Sequence, residues 1–121
     1  MVRLDDLLDR LGISTVNIIK MDIQGSEALA LRGMREVIQR TPKIKLLCEY
    51  WPWGIRATGI SPESFLDELA SLGFVFYTID ETKRRLELVV NIKSLKEKSS
   101  ADEYTSKTLQ RSHLNFLCVK E

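Results

Sequence analysis

Lys20, Asp22 and Gln24 alternate along one short stretch, Ile18-Ile19-Lys20-Met21-Asp22-Ile23-Gln24-Gly25-Ser26-Glu27. If that stretch is extended, the three polar side chains share one face, and Ile19, Met21 and Ile23 share the other. A carboxylate at the carboxyl end of a buried strand is placed to orient a hydroxyl or to take its proton. In open α/β sheets that end of the strand faces the ligand crevice. The plainer alternative for Asp22 is an ion pair with Lys20, in which each charge compensates the other.

A second acid, Glu49, closes the next apolar run, Ile44 to Tyr50, and is either a partner for Asp22 on the same rim or an exposed strand-end acid. Trp51 and Trp53 follow it; their indoles offer flat apolar area with one donor each, either as an acceptor platform or as a cover for the core edge. Glu27 opens a helical pattern, where the helix dipole alone accounts for an acid, although contact with substrate is also open to it. His113, the one histidine, has no Ser or Cys nucleophile motif beside it and reads as a loop or strand-start residue. No His/Cys cluster has metal-ligand spacing, so no metal is expected.

These residues need a scaffold, and the pattern supplies one. Leu4, Leu7, Leu8 and Leu11 fall at helical spacing before Gly12, predicting a helix over 4–11. Strands are expected at 16–23, 44–50, 74–79 and 114–119, with a hairpin strand over 86–92. A helix capped by Ser26 is expected to run to about Gln39, with Gly33 packed closely on the sheet. Ser61-Pro62-Glu63 is a strong helix start: a capping serine, proline at the first helical position, then an acid. Gly73 ends that helix. Residues 51–60 read as a loop, and 94–112 as a long polar surface loop with room for one helical turn. Alternating strands and helices predict a parallel sheet covered on both faces.

The 121 residues fit one domain, and 44% hydrophobic with 29% charged residues is ordinary for a globular protein. Eighteen basic against 17 acidic side chains leave net +1, which argues against a broad footprint for nucleic acid or anionic membrane. The basic runs Lys83-Arg84-Arg85 and 93–98 read as solvated faces. No apolar run approaches a membrane span, and Met1 to Asp6 is too acidic for a signal peptide. Cys48 and Cys118 sit inside apolar runs, which suits buried free thiols in a reducing compartment, so a cytoplasmic location is expected.

Lys20-Met21-Asp22-Ile23-Gln24-Gly25-Ser26-Glu27, with Ala30-Leu31-Arg32-Gly33-Met34 after it, resembles the signature of FkbM-type S-adenosylmethionine-dependent methyltransferases, approximately K-x-D-x-E-G-x-E…L-x-G. Leu4 to Leu8, Leu46 to Glu49, the helix-Gly-aromatic strand at 63–79 and His113 to Leu117 also resemble that family, so the likeness spans nearly the whole chain. It implies a Rossmann-like three-layer α/β/α fold with a mostly parallel sheet, of which this chain carries strands 4 to 7 of the order 3-2-1-4-5-7-6. Strands 5 and 7 are then neighbours, with Cys48 and Cys118 on adjacent strands. The Gly-rich loop that holds most of S-adenosylmethionine is expected upstream of this half; no G-x-G-x-x-G or Walker sequence occurs in the chain.

The resemblance further implies methyl transfer, to an oxygen of a small-molecule or glycan-type acceptor, with Asp22 catalytic. Asp22 and Gln24 would meet the cofactor, and Glu49, Trp51 and Trp53 the acceptor. Gln24 departs from the pattern, standing where the family has Glu and removing one negative charge. The rival reading is an α/β interaction or assembly module without cofactor binding. With strand 1 absent, the 16–23 edge is expected to be unpaired, so a homodimer through it, or a cover from the first helix, is expected.

Overall fold

The structure, a computed structural model, describes residues 1–99 and 114–120. Helix α1 (Leu4–Leu11) leads to β1 (Ile18–Met21), then α2 (Glu27–Arg32), α3 (Arg35–Arg40) and β2 (Lys45–Tyr50). Helices α4 (Pro52–Ala57) and α5 (Pro62–Ser71) precede the hairpin of β3 (Phe74–Asp80) and β4 (Arg85–Leu88), and α6 (Lys93–Ser99) and β5 (Leu114–Lys120) follow. His113 and most of the 94–112 segment lie outside the described residues.

Helix α1 has the predicted bounds, and Gly12 closes it at φ 72, a conformation glycine adopts without a Cβ penalty. The Ser61 hydroxyl accepts the Ser64 N–H at 3.2 Å with Pro62 at the first helical position, so the signal at α5 is realised as capping chemistry. The helix expected over 26–39 is broken at Gly33–Met34. Asp5, fully buried on α1, accepts the N–H groups of Val37 (2.9 Å) and Glu36 (3.1 Å) through its two carboxylate oxygens, so it caps α3 from another element. A Cβ on Gly33 would meet Arg3 Cα at 3.4 Å; the close packing is against the start of α1 and not against the sheet. Residues 52–57 form α4 where a loop was expected, with Pro52 at the helix start, where its missing N–H costs nothing.

The sheet runs β1-β2-β5-β3-β4. β1 and β2 are parallel, with Ile19 beside Leu46 and Met21 beside Cys48. β5 then enters antiparallel between β2 and β3, and β4 folds back on β3. The expected mostly parallel sheet is therefore not what forms: among the described residues three of the four pairings are antiparallel. The cause is the insertion of β5, which runs against both neighbours although β1, β2 and β3 all point one way. β2 and β5 are neighbours, and Leu46 faces Cys118 while Cys48 faces Phe116, so the two cysteines lie on adjacent strands and on one face. Both thiols are free and buried.

That face carries the core. Met21, Leu46, Cys48, Tyr50, Phe74, Phe76, Phe116 and Cys118 pack with Leu8 of α1, Leu31 of α2, Ile38 of α3, Ile55 of α4, Phe65 of α5 and Leu95 of α6 in one cluster. Tyr50 and Phe76 both pack on the Phe116 ring, at centroid distances of 5.7 and 5.5 Å. On the opposite face, Leu47, Val75, Tyr77, Leu117 and Val119 are only half-buried and lie outside this cluster, and Ile18 is 61% exposed. Among the described residues the fold is thus two layers, helices on one side of a sheet, in place of the expected three. All six helices send their apolar residues into the same core.

Candidate active site

β1 ends at Met21, and the chain turns through Gln24 at φ 55 and Gly25 at φ 98 into α2. Two contacts hold this corner. Glu27, fully buried in the first turn of α2, reaches back so that its Oε1 accepts the Ile23 N–H at 3.1 Å. Its Oε2 is buried with no hydrogen-bond partner among the described residues. The Ser26 side chain, expected to cap, makes no cap bond; Glu27 ties down the turn before the helix instead. On the other side of the corner a Cβ on Gly25 would fall 2.7 Å from the carbonyl carbon of Gly54, so the turn rests backbone against backbone on α4. Gly54 has the same constraint, since a Cβ there would land inside the Trp51 ring.

The corner presents Asp22 and Gln24 at the carboxyl end of the sheet, where β2 brings Glu49. Gln24 Nε2 donates to Asp22 Oδ1 at 3.4 Å and to Glu49 Oε2 at 3.5 Å. Both neighbours accept only, so the amide turns its nitrogen toward them, one N–H for each carboxylate. A glutamate at position 24 would put three carboxylates together; the glutamine replaces that repulsion with two donor contacts. Asp22 and Gln24 are exposed and Glu49 is half-buried. The ion-pair alternative for Asp22 fails, because Lys20 forms no salt bridge with it or with any other described residue.

Asp22 and Glu49 line a cleft of about 280 Å³ together with Lys20, Cys48, Glu81 and Asn115. Glu81 follows β3 and Asn115 lies on β5; neither was singled out in the sequence, although the strand order that the resemblance implies already sets the last strand between those that carry Glu49 and Glu81. Cys48 forms the floor. Burial, then Cys118 and the nearby carboxylates of Glu27 and Glu49, push its thiol well above the ordinary value, and burial does the same to Cys118. Neither sulfur is thus a nucleophile at neutral pH.

Trp51 and Trp53 stand apart from the cleft lining. Their rings are 5.4 Å apart and tilted by 35°, Trp51 half-buried over Gly54 and Trp53 36% exposed. Trp51 packs on Gly54, whose backbone in turn abuts Gly25 of the corner. Asp22, Gln24 and Glu49 are therefore brought together, and the tryptophans adjoin the corner from α4. Chemically, the trio offers two carboxylates held apart by a neutral donor, open to solvent on one side and backed by the core on the other.

Among the described residues no helix is long and apolar enough to cross a membrane, and no group of His, Cys, Asp and Glu is arranged to hold a metal ion. No curated protein and no solved structure matches the chain. The family model of the methyltransferase FkbM domain matches residues 1–76, a span that holds α1, the Asp22–Glu27 corner, Glu49 and both tryptophans. With more than half of its length matched, and with the signature residues gathered at one sheet corner, the chain belongs to the FkbM methyltransferase domain family.

Proposed function

We propose that the chain forms the acceptor-side wall of an S-adenosylmethionine-dependent methyltransferase site, with transfer to an oxygen of a small-molecule or glycan-type acceptor. The observation that carries this reading is the Gln24 amide set between Asp22 and Glu49 at the rim of a cleft, in a chain of this family. S-adenosylmethionine would supply the electrophilic methyl group. Asp22 is the group placed to accept the acceptor's hydroxyl proton or to hold that hydroxyl in line. Gln24 fixes the Asp22 carboxylate and, as a neutral donor, keeps the pair from repelling. Glu49 lines the acceptor side, with Trp51 and Trp53 as an apolar shelf beyond Gly54.

Family membership favours this reading over a non-enzymatic assembly module. The cleft is shallow and has no Gly-rich turn beside it, so the 121 residues by themselves are expected to bind the cofactor weakly or not at all. Calorimetric titration with S-adenosylmethionine checks that, and micromolar affinity would contradict it. The functional test is methyl transfer from labelled S-adenosylmethionine by the reading frame that contains these residues. Asp22→Ala is expected to lower the rate by about 10²-fold or more, the usual contribution of a positioned acid or base. A rate unchanged by that substitution, with the fold intact by circular dichroism, removes Asp22 from the chemistry.

A further inference from the structure

Glu27 is buried without the partners that a buried carboxyl group needs. It is 0% exposed, its Oε1 accepts one N–H, and its Oε2 has no hydrogen-bond partner among the described residues. Oε2 is closed off by this chain's own atoms, so neither a ligand nor a neighbouring polypeptide reaches it. Burying an oxygen without a partner costs free energy, so net stability is a poor reason for an acid here. The helix dipole favours an acid in the first turn, but an exposed one would serve the dipole as well. What remains is the one bond that Glu27 makes, to the Ile23 N–H at 3.1 Å.

That N–H belongs to the peptide plane after Asp22, and the Ile23 carbonyl belongs to the plane before Gln24. Glu27 takes the first, and the Ser26 N–H donates to the second at 3.3 Å. Both planes between the two polar residues are thus fixed. The side chains do not fix themselves. Asp22 and Gln24 are exposed, and the Gln24 amide contacts, 3.4 Å to Asp22 and 3.5 Å to Glu49, are long. Gln24 also sits at φ 55, which a non-glycine residue keeps only where its surroundings impose it. Glu27 imposes it from behind the turn, out of reach of any substrate.

We propose that Glu27 is a positioning residue for methyl transfer, holding the turn so that Asp22 and the Gln24 amide keep one geometry toward the acceptor. This rests on the role of Asp22 proposed above, so one readout must not involve turnover. NMR of the Gln24 side-chain amide in the chain is that readout. Its two N–H signals are expected apart from those of a free glutamine amide, and to collapse onto them in Glu27→Ala. In the reading frame that contains these residues, Glu27→Ala is expected to lower kcat about tenfold or more, with the KM for S-adenosylmethionine unchanged. Glu27→Gln keeps the acceptor oxygen for Ile23 but buries amide donors where Oε2 lay. It is expected to melt lower and still keep kcat within about twofold. In an Asp22→Ala background, Glu27→Ala is expected to leave the residual rate unchanged, whereas a loss of folded protein would lower it in both backgrounds. A Gln24 amide signal indifferent to Glu27→Ala overturns the proposal. So does a further fall in rate in the Asp22→Ala background, and so does a Glu27→Gln protein as slow as Glu27→Ala. Asp22→Ala at full rate overturns the role of Asp22 and with it the catalytic part of this proposal; the amide signal then shows whether Glu27 still holds the turn.

Discussion

The corner after β1 and the corner after β3 leave the same end of the sheet, and each turns on one non-glycine residue in the left-handed region, Gln24 at φ 55 and Arg84 at φ 51. Each also carries acids: Asp22 and Glu27 at the first, Asp80 and Glu81 at the second. What surrounds them differs. The first is held by a fully buried carboxylate and by the backbone of another helix. The second is held by Asp80 Oδ1 accepting the Lys83 N–H at 2.9 Å, in solvent, and returns at once into the β3–β4 hairpin. The acids at the two corners are similar in kind and number. A corner becomes a place for chemistry when a second element fixes it, because only then are the side chains it presents held to one geometry.

Four measurements probe that contrast. Gly25→Ala is expected to have the largest effect, about 3 kcal/mol of lost stability from a positive φ and a Cβ driven into Gly54, seen as a lower denaturant midpoint. Glu27→Ala is expected to cost about 2 kcal/mol, by leaving the Ile23 N–H without its acceptor and opening a small void, and to speed amide exchange at Ile23. If it does not, the buried carboxylate is not what ties the corner down. Arg84→Gly at the other corner is expected to raise stability slightly, by about 0.5 kcal/mol, since glycine relieves the left-handed strain with nothing packed against it. A large loss there would mean that the solvent-exposed corner is fixed as well.

The last concerns Cys48, which lies beneath the first corner and has no counterpart under the second. Its folded-state pKa is raised by burial, so the unfolded thiol ionises first. The stability linked to it is fully present below the unfolded thiol pKa and is lost as pH climbs from there through the higher folded-state value. At neutral pH the change is negligible. Native protein is expected to resist a thiol reagent that modifies both cysteines after unfolding, and rapid labelling of the folded chain would contradict the burial.

Local signals were the legible part of this chain. Helix α1, the Ser61-Pro62 start of α5 and the positions of the strands other than β4, which covers 85–88 where 86–92 was expected, follow from spacing and capping residues that lie within a few positions of one another. The junction of Asp22, Gln24 and Gly25 was visible for the same reason. What escaped depends on partners far along the chain. The break at Gly33–Met34 needs Asp5, and the helix over 52–57 is stabilised by contacts of Gly54 and Ile55 that no local pattern announces. The place of β5 between β2 and β3 agrees with the strand order that the resemblance implies, whereas its antiparallel direction was not read. Glu81 and Asn115 reach the cleft from strands distant in sequence, and Glu27 is buried by the packing of α2 on the core.

The insertion of β5 also orders events in time. β2 and β3 are not neighbours; they touch the same strand, and Leu46 waits for Cys118 as Val75 waits for Val119. Without residues 114–120 the pairings leave the sheet in two pieces, β1–β2 and β3–β4. Only when residues 114–120 arrive are the pieces knitted together and the Phe116 ring set between Tyr50 and Phe76. Contacts of such sequence separation slow folding and leave strand edges exposed until closure. A chain cut before Leu114 is therefore expected to expose the facing edges of β2 and β3.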